Sequence, residues 1–175
     1  MYRLHTEDMI ILVGEREVAK DLDREAADAW EREWTRHPLA QLLHHPAFTH
    51  GKSREFLETF YDLPHGVYAV NLLSPHPEAG RWDPQLAKTK AGDLRSYFVT
   101  LAENRNVAIR LLLLGRKVAA AFGKKHKPFG CRCQEGYRTF SLVLPHPSPR
   151  NRFFNDPFKI AQLRGWVGSF LNYEI

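Results

Sequence analysis

The clearest indication of the fold is the stretch IRLLLLGRKVAAAFG, residues 109–123. Four consecutive leucines follow Ile109 and Arg110, and Gly115 separates them from a short alanine-rich segment. An apolar run this short, without strict alternation, is typical of a strand that is buried on both faces of a parallel sheet. The sequence therefore predicts a strand over residues 109–114 and a helix over residues 116–122 directly after it.

Three more runs of the same kind are MIILV (9–13), VYAV (67–70) and TFSLVL (139–144). Apolar residues at spacings of three and four predict helices over 16–35, 53–61, 84–101, with an interruption at Gly92, and 157–171. The Lys-rich segment 124–136 is predicted to be an irregular loop. The resulting order, β-α-α-β-α-β-α-β-α, predicts an α/β fold: a three-layer sandwich with a central four-stranded parallel sheet flanked by helices.

The length of 175 residues suits one domain, which we expect to span residues 1–175 with a charged helical insertion at about 17–45. No apolar run is long enough to predict a membrane span, and the first residues do not resemble a secretory signal. The two cysteines, Cys131 and Cys133, are too few for a disulfide scaffold, and we expect a reducing, cytoplasmic location.

The charge is distributed unevenly along the chain. Residues 1–103 carry a net charge of −5, whereas residues 104–175 carry +10. A basic half fits a polyanionic partner, because each neutralised phosphate releases counterions. A solvated basic surface explains the same charge equally well.

The candidate functional residues are those that follow the predicted strands. In an open parallel sheet the ligand site lies beyond the carboxyl ends of the strands. Glu15, Asn71, Gly115 and His146 each stand at or just after such an end. The sequence therefore predicts that a carboxylate, an amide, a glycine-opened helix start and an imidazole converge at one edge.

Several of these strand ends resemble motifs of one enzyme family. The segments LPHPSPRNRFFNDP (144–157) and GVYAVNLL (66–73) resemble the second signature and the central strand of uracil-DNA glycosylases. ILVGE (11–15) is similar to the first signature of the branch whose motif begins Gly-Glu, and PAFTHGKSREFL (46–57) and LLLLGRKVAAAFG (111–123) resemble further segments of that branch. The iron–sulfur cysteines of some branches are absent, and so is the tyrosine that shields the C5 side of uracil in the main branch.

The resemblance implies a role for three of the residues at the strand ends. His146 would donate a hydrogen bond to O2 of the departing base, although a histidine here can also cap the proline-rich turn. Asn71 would read the Watson–Crick edge of the flipped base, or else it only ties down a loop. Glu15 would orient or deprotonate the attacking water and stabilise the sugar cation, or else it caps the first turn of a helix.

The resemblance also implies contacts to the base and to DNA. Phe48 would stack on the flipped base, with a place in the core as the alternative. Phe153 would belong to a loop that enters the minor groove, although Phe153 or Phe154 can instead be core. The residues predicted to contact DNA are Lys52, Ser53, Ser148, Arg150, Asn151, Arg152 and Phe153.

These expectations lead to a monofunctional DNA glycosylase that acts as a monomer without cofactor or metal. His126, Cys131 and Cys133 supply at most three zinc ligands, with no evident fourth. Because the C5 shield is absent, the pocket is expected to admit thymine or a pyrimidine with a C5 substituent, such as the hydroxymethylated or glucosylated cytosine of phage DNA. The alternatives are a non-catalytic DNA-binding or inhibitory module with the same fold, and a hydrolase of free nucleosides or nucleotides.

Overall fold

The structure is a computed structural model that describes residues 8–15, 66–73, 82–146 and 152–171. Its elements, in chain order, are β1 (Met9–Gly14), β2 (Gly66–Asn71), α1 (Pro84–Arg105), β3 (Ile109–Leu114), α2 (Arg116–Ala121), β4 (Arg132–Gly136), β5 (Thr139–Leu144), a short 3-10 helix (Arg152–Asn155) and α3 (Pro157–Leu171). The predicted helices over 16–35 and 53–61, and the insertion at about 17–45, lie outside the described residues.

The sheet has five strands in the order β2-β1-β3-β5-β4. The pairs β1–β2, β1–β3 and β3–β5 are parallel, so the four apolar runs form the parallel sheet that the sequence predicts. Their carboxyl ends therefore lie at one edge of the sheet. The α/β class is confirmed.

The fifth strand, β4, is the main difference from the sequence-based prediction. It lies in the segment that we predict to be an irregular loop and pairs antiparallel with β5, so the sheet is mixed. Its residues, RCQEG, are polar and partly exposed, as expected for a short strand at a sheet edge. A shift of register between Gln134 and Gly136 marks a bulge near the hairpin turn.

Apolar side chains project from both faces of the sheet. One set packs with α1 and α2, and the other packs with α3. Because successive side chains of a strand point to opposite faces, β3 supplies Leu111 and Leu113 to the first set and Leu112 and Leu114 to the second. This burial on both faces explains why the strands read as continuous apolar runs rather than alternating ones.

The longest described helix, α1, begins and ends at recognisable caps. The Asp83 carboxylate accepts hydrogen bonds from the backbone N–H groups of Gln85 and Leu86, both at 3.0 Å. The helix ends at Asn106, which has a left-handed backbone with φ of 52°. Gly92 does not interrupt it, because the surrounding turns bury Ala87, Ala91 and Phe98 against the sheet. Among the described residues, no helix is both long and apolar enough to cross a membrane.

Candidate active site

The predicted convergence at the carboxyl edge is present for Glu15, Gly115 and His146. Glu15 directly follows β1, Gly115 directly follows β3, and His146 stands two residues after β5. Since the strand order places β3 between β1 and β5, Gly115 lies between the other two residues. A carboxylate and an imidazole therefore lie at the shared edge that the sequence predicts, with a glycine between them.

Glu15 and His146 are within interaction distance. The Oε2 atom of Glu15 lies 3.5 Å from Nε2 of His146, and the two side chains are 21% and 33% exposed. On its other oxygen, Oε1, Glu15 faces Nζ of Lys117 at 3.6 Å. The carboxylate therefore stands between an imidazole and an ammonium group and remains open to solvent.

The surroundings of His146 favour its neutral form. Burial is the largest effect and lowers the pKa of His146 from its ordinary value of 6.5. The carboxylate of Glu15 raises that pKa, and the ammonium of Lys117 lowers it. Since the net shift is downward, the imidazole is neutral at pH 7 and offers one N–H donor and one acceptor nitrogen.

Gly115 leaves room for the imidazole of His146 above the end of β3. A Cβ atom on Gly115 would lie 3.1 Å from Cβ and 3.4 Å from Cδ2 of His146. The backbone of Gly115 has φ of +97°, which side chains rarely tolerate. Its N–H donates to the carbonyl of Leu144 at 2.8 Å, which extends the pairing of β3 and β5 up to the site. The backbone conformation therefore favours glycine here, and a side chain would fit only if His146 moved by a few tenths of an ångström.

Lys117 is a member of this site that sequence reasoning missed. It is the second residue of α2, which begins immediately after Gly115. Besides facing Glu15, its Nζ lies 5.7 Å from the centre of the Trp82 ring. The signal that could have found Lys117 is its position in the first turn of a helix that opens at the carboxyl end of β3.

Asn71, the predicted base-reading residue, is the last residue of β2 and pairs in register with Gly14. Beyond the strands, the N–H groups of Leu72 and Leu73 donate to the carbonyls of Gly14 and Glu15, at 3.0 and 3.1 Å. The backbone of Asn71 therefore lies beside the chain that carries Glu15. Its side chain lies outside what the structure describes, and its reading of a base stays a prediction.

Phe153 lies in an aromatic cluster on the α3 side of the sheet. Its ring centre is 6.2 Å from that of Phe129 and 6.3 Å from that of Trp166, and it packs on the apolar core. This is the core alternative that the sequence left open for the Phe153–Phe154 pair. Arg152, the preceding residue, is exposed at the start of the 3-10 helix.

A second cation–aromatic contact joins α2 to the loop before β4. The guanidinium of Arg116 lies 4.0 Å from the centre of the Phe129 ring and donates a hydrogen bond to the carbonyl of Lys127. Gly130, next in the loop, donates its N–H to the carbonyl of Val143 at 2.7 Å. Residues 127–130 are therefore attached to the same edge of the sheet as the site.

The remaining predicted contact residues are Phe48, Lys52, Ser53, Ser148, Arg150 and Asn151, and all six lie outside the described residues.

Cys131 and Cys133 are free thiols whose sulfur atoms are 3.9 Å apart. Burial is the largest cause of a raised pKa at Cys133, and its contact with Cys131 adds to it. Within the described part of the chain, no group of three or more His, Cys, Asp or Glu residues is arranged to hold a metal ion.

No family model matches the sequence, and no curated protein matches it.

Proposed function

We propose that the chain is a DNA glycosylase that hydrolyses the N-glycosidic bond of a flipped-out aberrant or modified pyrimidine and leaves an abasic site. The observation that carries this proposal is the 3.5 Å approach of Glu15 to His146 at the carboxyl edge of the sheet. Hydrolysis of this bond develops positive charge on the sugar and negative charge on the base. A carboxylate and a neutral imidazole at one point are suited to stabilise both.

Each residue has a separate task in this reaction. Glu15 positions the attacking water and stabilises the sugar cation, and Lys117 holds its far oxygen. The neutral imidazole of His146 donates a hydrogen bond to O2 of the base, which strengthens as the base becomes an anion. To make this hydrogen bond, the imidazole N–H of His146 points to the base rather than to Glu15. Asn71, beside Gly14 in the neighbouring strand, reads the edge of the base.

The rest of the proposal concerns the domain as a whole, its substrates and its contacts with DNA. The whole chain forms one three-layer domain and acts as a cytoplasmic monomer on DNA, without metal or cofactor. Among its substrates are pyrimidines with a C5 substituent, such as those of modified phage DNA. Residues 150–153 belong to the loop that enters the minor groove, Lys52, Ser53 and Ser148 contact phosphates, and Phe48 stacks on the flipped base.

The test is release of a base from defined oligonucleotides. Duplex and single-stranded oligonucleotides, each with one modified pyrimidine, are incubated with the protein in EDTA, treated with alkali and separated on a gel. We expect strand cleavage at the modified position only after the alkali step, because a monofunctional enzyme leaves the abasic site intact. Release of bases from free nucleosides, with none from DNA, would instead indicate a nucleoside hydrolase.

A matched pair of histidine variants identifies the catalytic group. His146→Ala should lower the rate by ~10²–10³, which is typical for loss of one donor to a developing anion. His126→Ala removes an exposed histidine from the loop before β4 and should leave the rate unchanged. If His146→Ala retains a rate within about threefold of wild type while its fold is intact, His146 has no part in the chemistry. Bound DNA without release of any base would support the non-catalytic module.

A further inference from the structure

The start of α3 is directed toward the edge of the sheet that carries Glu15 and His146. At the other end of this helix, the carbonyl of Phe170 accepts a hydrogen bond from Nε of Arg110, near the amino end of β3. Trp166, about one turn nearer the start of the helix, packs beside Gly130, which bonds to Val143 near the carboxyl end of β5, and Phe153, just before the helix, packs on Trp166 and Phe129. The helix therefore runs antiparallel to the parallel strands, and its first turn is directed toward the candidate active-site edge.

Phe158 is exposed in that first turn. Its side chain is 86% exposed, compared with 62% for Tyr97, 46% for Tyr137 and 46% for Leu86. The backbone beneath it is fixed, because its N–H donates to the Asp156 carboxylate at 2.9 Å. A single exposed apolar side chain is common on protein surfaces, so the charges around the ring decide what it can bind.

The surroundings of Phe158 are cationic and aromatic. Arg152, Lys159 and Arg164 are exposed on the 3-10 helix and on α3. Lys159 Nζ lies 5.8 Å from the ring centre of the half-buried Phe153. The one nearby carboxylate among the described residues of these two helices, Asp156, accepts the N–H of Phe158. Exposed aromatic rings among cations are the combination that binds exposed bases and phosphates together.

We propose that Phe158 stacks on the base of the bound DNA that loses its pairing partner when the target nucleotide flips, with Arg152 and Lys159 at the flanking phosphates. The partner is DNA because an exposed ring for the base and exposed cations for the backbone belong to the same short stretch, residues 152–164, and this choice rests on the proposed function. Phe153, which the sequence suggested for the groove, is half-buried against Trp166 and Phe129. Phe158 is the exposed aromatic that the described part of this region offers to a base.

The test measures affinity for two fluorescein-labelled duplexes by anisotropy. One contains a central tetrahydrofuran abasic analogue, which leaves the opposite base without a pairing partner, and the other is fully paired. Phe158→Ala should raise the Kd for the abasic duplex about 5- to 150-fold, the range for loss of one base–aromatic stack. The fully paired duplex should show a much smaller change. Phe158→Tyr should bind like wild type, and Phe158→Leu should resemble Phe158→Ala.

Tyr97→Ala is the matched control, because it removes an exposed ring from α1, which packs on the opposite face of the sheet. Equal Kd values for Phe158→Ala and Tyr97→Ala on the abasic duplex would overturn the proposal and leave Phe158 as a contact for another protein. Wild-type affinity of Phe158→Leu would equally overturn stacking. If the wild type releases no base but Phe158→Ala still weakens abasic-site binding, the glycosylase proposal fails and the contact to DNA stands.

Discussion

Glu15 and His146 meet although their strands do not pair with each other. β3 separates β1 from β5, yet Oε2 of Glu15 is 3.5 Å from Nε2 of His146. The two side chains reach each other over the end of β3, where Gly115 presents no side chain. A Cβ atom there would lie 3.1 Å from Cβ of His146. The geometry of the site therefore depends on one glycine that takes no part in the chemistry.

Gly115→Ala should both destabilise the fold and displace His146. A side chain at φ of +97° carries about 1–3 kcal/mol of backbone strain, and the new methyl group presses on the imidazole. Urea unfolding measures the first effect, and the rate of base release measures the second. Gly123→Ala is the control, because Gly123 also has a positive φ, +75°, but a Cβ atom there would meet nothing within 4 Å. Equal loss of stability and activity in both variants would show that His146 accommodates the added methyl group without further cost.

The sequence predicts the four parallel strands well and the antiparallel edge strand β4 poorly. The bounds of β3 and β5 agree with the prediction, because burial on both faces leaves a continuous apolar run. β4 was missed because its residues are polar and its hairpin turn, Tyr137–Arg138, lacks the Asn-Gly or Asp-Gly sequence that marks such turns. The order of the strands in the sheet could not be predicted from the sequence either, since it depends on contacts between distant segments.

The titration of His146 should follow the charges around it. Its pKa should lie below 6.5, because burial disfavours the imidazolium. Glu15→Gln should lower that pKa further by removing a stabilising negative charge, whereas Lys117→Met should raise it by removing a positive one. Proton NMR of the imidazole against pH measures all three. A wild-type midpoint at or above 6.5, or shifts of the opposite sign, would contradict this account.

The same shift predicts how stability depends on pH. Because the unfolded chain binds a proton to this histidine at a higher pH than the folded chain does, the contribution is present above pH 6.5. It is lost as the pH falls through the lowered pKa of the folded state. His146→Gln, which cannot titrate, should therefore lose less stability than wild type on acidification below pH 6.5. If the free energy of unfolding of the two proteins falls equally with pH across that range, the titration of His146 does not contribute to the pH dependence of stability.

Glu135 is a structural carboxylate away from the site, and its removal should be costly. It is 2% exposed and lies 2.9 Å from Nε of Arg95 and 2.8 Å from Nζ of Lys124. The hydroxyl of Ser141 also donates to it. Glu135→Gln should destabilise the protein by ~1–3 kcal/mol, since Lys124 and the partly exposed Arg95 lose a charged hydrogen-bond partner. Glu103→Gln, at an exposed position of α1, should change stability by less than ~0.5 kcal/mol. A small loss at Glu135 would show that water replaces the carboxylate.

The candidate site was predictable in outline but not in its details. The rule that ligands bind at the carboxyl ends of parallel strands selects Glu15, Gly115 and His146 from the sequence alone. It does not select Lys117, because an exposed lysine in a helix has no distinctive pattern. Nor does it distinguish the packed ring of Phe153 from the exposed ring of Phe158, since both belong to aromatic positions a few residues apart.

Asn71 should govern the choice between uracil-type and cytosine-type bases. An amide can present a donor and an acceptor together, whereas an ionised carboxylate only accepts. Asn71→Asp should therefore lose activity on a uracil-type edge, whose O4 is an acceptor, and retain more on a cytosine-type edge, whose N4 donates. The measurement is the rate of base release from matched duplexes with uracil, thymine, 5-hydroxymethylcytosine and its glucosylated form. If the chain acts as proposed, C5 substituents should be tolerated by wild type, because the tyrosine that shields C5 in the uracil-DNA glycosylases it resembles has no counterpart beside Glu15. Rapid release of unsubstituted uracil alone would show that other residues shield C5 and would refute the modified-base prediction.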